Sequence, residues 1–136
     1  MDEFIEKLGR KRDLIREVLG LTQAQTAFIE NDDTDGLLTN IARRQKVIDK
    51  IDAIQAELPD KEAMRADPRC VTLITEVNAM LKAVEERDAF NEKAATSRMD
   101  ALRDQMRKVN AGRKTFDGYE ASGSNQIGGI YINQKK

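Results

Sequence analysis

The sequence contains no histidine and no tryptophan, a single cysteine, and two prolines in 136 residues. Without an imidazole, the chain has no Ser–His or Cys–His pair and no imidazole metal site, so the common catalytic templates are absent. The lone Cys70 excludes a disulfide within the chain. These absences predict a protein that is not an enzyme and that binds neither a metal ion nor another cofactor.

Net charge and long apolar runs are also lacking. Lys and Arg number 23 against 24 Asp and Glu, which gives no overall attraction for nucleic acid or for an anionic membrane. No window reaches the roughly 18 consecutive apolar residues of a membrane span. The first residues, MDEFIEKLGRK, carry acids where a secretory signal needs basic and then apolar residues. We therefore expect a cytoplasmic protein with no nucleic-acid partner and no membrane insertion.

What the sequence does contain is a long charged region in which apolar residues recur every three or four positions. This spacing lines one face of an α-helix and predicts helices over about 2–31, 34–58 and 68–112. The 35% of charged residues is typical of long helices with a thin apolar seam rather than of a thick globular core.

Two helix starts have clear signals in the sequence. The polar stretch NDDTD, residues 31–35, predicts a turn in which Asp33 or Thr34 caps the second helix. Asp67 is the predicted cap of the third helix, and Pro68 occupies its first position, where the missing N–H has no cost. The short first turn predicts an antiparallel pair of helices.

The predicted fold is therefore all-α. It is an antiparallel three-helix hairpin or bundle of coiled-coil type, formed by a helical domain over residues 1–112. Residues 113–136 are predicted to form a flexible Gly/Ser-rich tail with aromatic contacts. At 1.5 Å per residue the third helix would be about 67 Å long, against about 45 Å and about 37 Å for the first two. The third helix thus outruns its partners.

An apolar stripe on the unmatched end of the third helix would need another protein surface to cover it. We predict that a partner helix binds there, and that the basic residues beside the stripe form a charged rim. The alternatives are a solvated helix face with i,i+4 ion pairs, and methionines that belong to the protein's own core. The predicted partner-binding residues are Phe90, Met99, Leu102, Met106 and Val109 on the helix and Phe116 and Tyr119 in the tail, and the predicted rim is Arg103 and Arg107.

Other candidate sites have simpler explanations. The carboxylates at Asp32, Asp33 and Asp35 lie in a turn where helix capping accounts for them, and they lack the 12-residue ligand pattern of an EF-hand. Cys70 lies on the apolar face of the third helix, where packing in the core explains it better than nucleophilic chemistry does.

The segment FIENDDTDGLLTNIARRQKVIDKIDAIQAEL, from Phe28 to Leu58, resembles the bacterial flagellar export chaperones of FlgN/FliT type. The likeness lies in an apolar helix end, an acidic turn, and leucines followed by RRQKVIDKID. The long third helix and the aromatic and glycine residues of KTFDGY are also similar to that family.

The resemblance implies a small cytoplasmic helical chaperone without ATPase activity. Such a protein would hold the C-terminal helical segment of a hook-associated or filament-cap protein, prevent its premature assembly and deliver it to the type III export apparatus. An alternative that needs no export client is a structural coiled-coil homodimer or adaptor, in which the exposed end of the third helix pairs with its own copy.

Overall fold

The computed structural model describes residues 2–109, which form four helices and no strand. The helices are α1 (Asp2–Glu30), α2 (Thr34–Ala56), α3 (Lys61–Arg65) and α4 (Pro68–Val109). The predicted all-α class is therefore confirmed over the described part of the chain. The short α3 was not predicted. The predicted tail over residues 113–136, with Phe116 and Tyr119, lies outside the described residues.

The turn between α1 and α2 is closed by the backbone and by one cap. Asp32 adopts a left-handed conformation with φ of 55°. The amides of Asp32 and Asp33 donate to the carbonyls of Ile29 and Phe28, at 3.2 Å and 2.9 Å. This is the Schellman ending of a helix, with an aspartate where glycine is commonest. The Asp33 side chain then accepts from the Gly36 amide at 2.9 Å and caps α2.

The other two helices begin with the same device. The Asp60 side chain accepts from the Ala63 amide at 2.9 Å and caps α3. The Asp67 side chain accepts from the Arg69 amide at 2.9 Å, and Pro68 is the first residue of α4. Each cap satisfies an amide at a helix start that has no partner within the helix.

The first helix packs against both of the other long helices. Its contacts with α2 run in opposite residue order, from Lys11–Gln55 at one end to Gln25–Asn40 at the other, so the two helices are antiparallel. Its contacts with α4 run in the same order, so α1 and α4 are parallel. Among the described residues, no Cα of α2 lies within 8 Å of a Cα of α4.

The core includes three small apolar clusters arranged along α1. Each cluster takes one buried residue from α1 and one from α4, and the third member comes from α3 at one end and from α2 elsewhere. In chain order along α1 the clusters are Leu8 with Met64 and Cys70, Val18 with Val47 and Val84, and Ile29 with Leu37 and Ala95.

The fourth helix continues without a break past the end of this core. It has 42 residues, or about 63 Å, whereas α1 has 29 residues, or about 43 Å. Arg98 contacts Asp32 in the turn between α1 and α2, and Ala95 is the last buried residue of α4 in the described chain. Residues 99–109 therefore continue past the turn and have no core of their own.

Candidate partner-binding groove

A groove of about 390 Å³ lies where α4 passes the turn between α1 and α2. One wall comes from the end of α1, the turn and the start of α2. The other wall comes from α4. The lining residues are Phe28, Ile29, Asp32, Asp33, Thr34 and Leu37 on the first wall and Ala95, Arg98, Met99, Ala101, Leu102 and Gln105 on the second. A groove of this kind suits an apolar helix more than a small polar substrate.

Close packing fixes the first wall. A Cβ added to Gly36 would lie 2.6 Å from Cδ1 of Phe28 and 2.6 Å from Oδ2 of Asp33, so the Phe28 ring lies directly over the glycine. Ordinary carbon contacts are about 3.5–4.0 Å, and a side chain at this position would therefore displace the ring. Gly36 is the reason that Phe28 can line the groove while remaining half-buried.

Gly36→Ala should consequently destabilise the protein even though alanine favours helices. Overpacking of this kind costs about 1–3 kcal/mol, whereas the gain in helix propensity is about 1 kcal/mol. We expect the midpoint of urea unfolding to fall. Gly20→Ala is the matched control, because an added Cβ there meets nothing within 4 Å, and it should raise the midpoint. Equal shifts for the two variants would contradict the close packing of Phe28.

The second wall continues the buried face of α4. Met99 and Leu102 follow the buried Ala95 by four and seven residues, so they lie on the same side of the helix. Met106 and Val109 extend this face by two more turns, beyond the groove lining. Met99 and Met106 are half-buried, whereas Leu102 is 45% exposed and Val109 is 78% exposed. The buried face of α4 thus becomes a partly exposed face; we call these four residues the distal stripe.

The remaining predicted contact residue of α4 lies elsewhere. Phe90 is 51% exposed and is not among the residues that line the groove. The guanidinium carbon of Arg87 lies 5.3 Å from the centroid of the Phe90 ring, which is a cation–π distance. The structure therefore brings Met99 and Leu102 together at the groove, leaves Met106 and Val109 in line with them, and separates Phe90 from all four.

The predicted basic rim is largely matched by neighbouring acids. Arg103 lies 3.7 Å from Asp100, and Arg107 lies 3.8 Å from Asp104, both at i,i+3 spacing on the helix surface. Ion pairs at a helix surface contribute at most about 1 kcal/mol, and these pairs cancel much of the positive field that an unpaired rim would create. The apolar stripe is thus the stronger feature of this end of α4.

Sequence reasoning did not single out the ion pair that joins the two walls. Arg98 donates from Nε to Oδ1 of Asp32 at 3.1 Å, and its Nη2 donates to Oδ2 of the same carboxylate. Hydrogen bonding to Asp32, together with the negative charge of that carboxylate, raises the pKa of Arg98 above its usual value. The pair ties α4 to the turn at the base of the groove, and both partners are exposed.

Phe28 and Leu37 were also missing from the predicted site. Their apolar character was visible in the sequence, but the turn that brings them opposite α4 depends on the left-handed Asp32 and on the contact between Phe28 and Gly36. The sequence signal for this contact was Gly36 in the first turn of α2, shortly after Phe28 near the end of α1.

Little in the described residues offers other chemistry. Cys70 is fully buried against Leu8 and Met64, which is the packing role expected from its place on the apolar face. Residues 2–109 contain no group of three or more cysteine and acidic side chains that could hold a metal ion. None of the helices in that range has the length and apolar character that crossing a membrane requires.

Comparison with known proteins gives one result. A family model described as FlgN protein matches residues 1–127 of the chain. No curated protein and no solved structure matches. The matched range includes all four helices, both walls of the groove and the whole distal stripe.

Proposed function

The chain belongs to the FlgN family of flagellar export chaperones, and we propose that it is a cytoplasmic chaperone for one class of export substrate. Its client would be a hook-associated or filament-cap protein, bound through the C-terminal helical segment. Binding would prevent premature assembly of the client and present it to the type III export apparatus. FlgN proteins are chaperones rather than enzymes, and the proposal includes no catalytic step.

The observation that carries the proposal is the exposure of Leu102 and Val109 on the distal stripe, beside the groove. A helix with an apolar face could lie against Met99 and Leu102 and extend along Met106 and Val109. Full burial of an exposed side chain of this size contributes about 1.5–3 kcal/mol, and less for Met99 and Met106, which are already half-buried. Together with the client's own apolar contacts, this gain would offset the cost of ordering a client segment that is unfolded before it binds.

The other predicted contacts take outer positions in this proposal. Phe116 and Tyr119 follow Val109 by seven and ten residues, close enough in the chain for their rings to cover a client that lies on the distal stripe. Phe90 would contact a longer client on another side of α4. Arg103 and Arg107 would lie at the edge of the bound client and contribute little to the affinity, because each is already paired with an acid.

A homodimer is the second candidate, because the same observation favours it. The exposed Leu102 and Val109 would pack in an antiparallel coiled coil between two copies of α4. Light scattering of the purified chain, alone and with a client, separates the two candidates. A dimer that persists unchanged in the presence of every client would favour the structural role.

The direct test uses purified components. C-terminal segments of the hook-associated and filament-cap proteins from the same organism are titrated into the full chain by calorimetry. One of them should bind with 1:1 stoichiometry and with a negative heat-capacity change, because apolar surface becomes buried. The same mixture should gain helical circular dichroism. Absence of binding by every segment would overturn the proposal.

A further inference from the structure

Six polar side chains are buried between the middle and the last apolar clusters, and they form a layer across all three long helices. Such side chains are rarely buried unless they are hydrogen-bonded. The members of this polar layer are Thr22 and Gln25 on α1, Asn40 and Arg44 on α2, and Asp88 and Asn91 on α4.

A two-bond ion pair at the centre of the layer joins α2 to α4. Arg44 donates from Nη1 and Nη2 to the two carboxylate oxygens of Asp88, at 2.6 Å and 2.8 Å. Nη1 also donates to Oγ1 of Thr22 at 3.1 Å. The two charged side chains are only 3% and 8% exposed. Because the backbones of α2 and α4 do not approach closely, this pair is a direct link across the gap between them.

Amide side chains in the polar layer link α2 and α4 to α1 by hydrogen bonds. Nε2 of Gln25 donates to Oδ1 of Asn40 at 3.0 Å, and Nδ2 of Asn40 donates to the Leu21 carbonyl at 3.0 Å. On the other side, Nδ2 of Asn91 donates to the Thr22 carbonyl at 2.8 Å. Each of these bonds has a short range and a preferred direction, so together they fix the relative position of the three helices.

The polar layer lies one helical turn from the cluster beneath the groove. Gln25 precedes Ile29 by four residues, Asn40 follows Leu37 by three, and Asn91 precedes Ala95 by four. Ile29, Leu37 and Ala95 form that cluster, and all three also line the groove. A change in the distance between the helices at the polar layer would therefore also change the distance between the two walls of the groove.

Stability alone does not account for this layer. Buried ion pairs seldom stabilise a protein more than apolar residues of the same volume do, because both charges must leave water. Nε of Arg44 and Oε1 of Gln25 are buried and have no hydrogen-bond partner among the described residues, which adds to the cost. A polar layer can specify one register between the packed helices, because its hydrogen bonds form in only one arrangement, whereas an apolar layer tolerates several.

We infer that the polar layer sets the separation of α2 and α4, and hence the width of the groove. Arg44 and Asp88 are accordingly positioning residues of the docking site, although neither lines it. The effect on client affinity rests on the proposed function. The effect on groove geometry can be measured without any client.

The test compares two double variants in the full chain. Arg44→Met with Asp88→Leu removes the buried pair. Arg43→Met with Glu17→Leu removes an exposed pair, joined at 3.3 Å, whose arginine directly precedes Arg44 in α2. Nitroxide labels on cysteines at the exposed positions Asp35 and Ser97 report the distance between α2 and α4, with the buried Cys70 replaced by Ala. Double electron–electron resonance measures the distance distribution.

The parent chain should give one narrow distribution, and so should the variant without the exposed pair. The variant without the buried pair should keep its helicity and a thermal midpoint at least as high, yet give a shifted or broadened distribution. A narrow, unshifted distribution would overturn the inference. If the variant without the buried pair fails to fold, the same distance is measured in Arg44→Lys, because lysine keeps the charge but cannot form the two-bond geometry. An unchanged distance distribution in Arg44→Lys would also overturn the inference.

Client binding then separates this inference from the proposed function. The titrated C-terminal segment that binds the parent chain should bind about tenfold more weakly to the variant without the buried pair, and equally well to the variant without the exposed pair. If no segment binds any protein while the distance distribution still changes, the proposed function fails and the positioning role stands. If affinity falls without a change in the distribution, the positioning role fails.

Discussion

Leu102→Asp combined with Met106→Asp should reduce the affinity for the client segment at least about 100-fold. Each substitution removes an apolar contact of about 1.5–3 kcal/mol. It also places a carboxylate where a client helix would exclude water, and a buried unpaired charge costs several kcal/mol more. Calorimetric titration of the client segment measures the effect, and circular dichroism shows whether the variant keeps its helices.

Two further variants make this result specific. Val71→Asp with Leu81→Asp changes two apolar residues of α4 that are about as exposed as Leu102 but lie outside the groove, and binding should be retained. Arg103→Glu with Arg107→Glu should weaken binding only a few-fold, because both arginines already face acids on the helix surface. Equal losses in all three variants would show that the distal stripe is not the contact surface.

Arg44→Ala should destabilise the protein strongly although it leaves the apolar clusters intact. It leaves the Asp88 carboxylate buried without its partner, which typically costs about 3–5 kcal/mol. For a helical domain of this size the thermal midpoint should fall by about 10 °C or more. Thermal and urea unfolding, both followed by circular dichroism, measure the change.

Arg43→Ala provides the comparison, because the two arginines are adjacent and differ mainly in burial. Arg43 pairs with Glu17 at 3.3 Å on the surface, and its removal should cost less than about 1 kcal/mol. Similar losses for the two variants would mean that the Arg44–Asp88 pair has little influence on folding. Asp88→Ala should match Arg44→Ala, since each leaves one buried charge alone.

The parts of the fold that could be predicted are those that depend on neighbours in the chain. Asp67 followed by Pro68 marks the start of α4, and the aspartates after Asn31 mark the turn, because capping and the left-handed region involve only a few adjacent residues. The five residues of α3 were missed, since so short a helix has no periodicity, although Asp60 after a proline was an available cap signal.

The polar layer could not be predicted from local patterns. Arg44 and Asp88 are 44 residues apart, and charged residues on a helix are normally solvated, so nothing nearby in the sequence indicates their burial. Thr22 and Gln25 did leave a trace, because they continue the spacing of the buried Val18 and lead to Ile29. Polar residues at core spacing on one helix are a sign that another helix supplies their partners.

Only one wall of the groove could be predicted from the sequence, because only that wall depends on spacing within a single helix. The apolar continuation of α4 through Met99 and Leu102 can be read from spacing alone, and the structure places both at the groove. The opposite wall depends on how a turn presents Phe28 and Leu37 to the part of α4 that begins at Ala95, far away in the chain. Such an arrangement is set by tertiary packing, which no short segment encodes.

The continuity of α4 has a consequence for the cost of recognition. Starting a helix in water is unfavourable, with a nucleation constant of about 10⁻³, whereas each added residue extends an existing helix at almost no cost. The turns from Pro68 to Ala95 are held by the core and act as the nucleus for residues 99–109. An arriving segment thus meets a template that is already wound, and only one of the two chains has to lose conformational entropy.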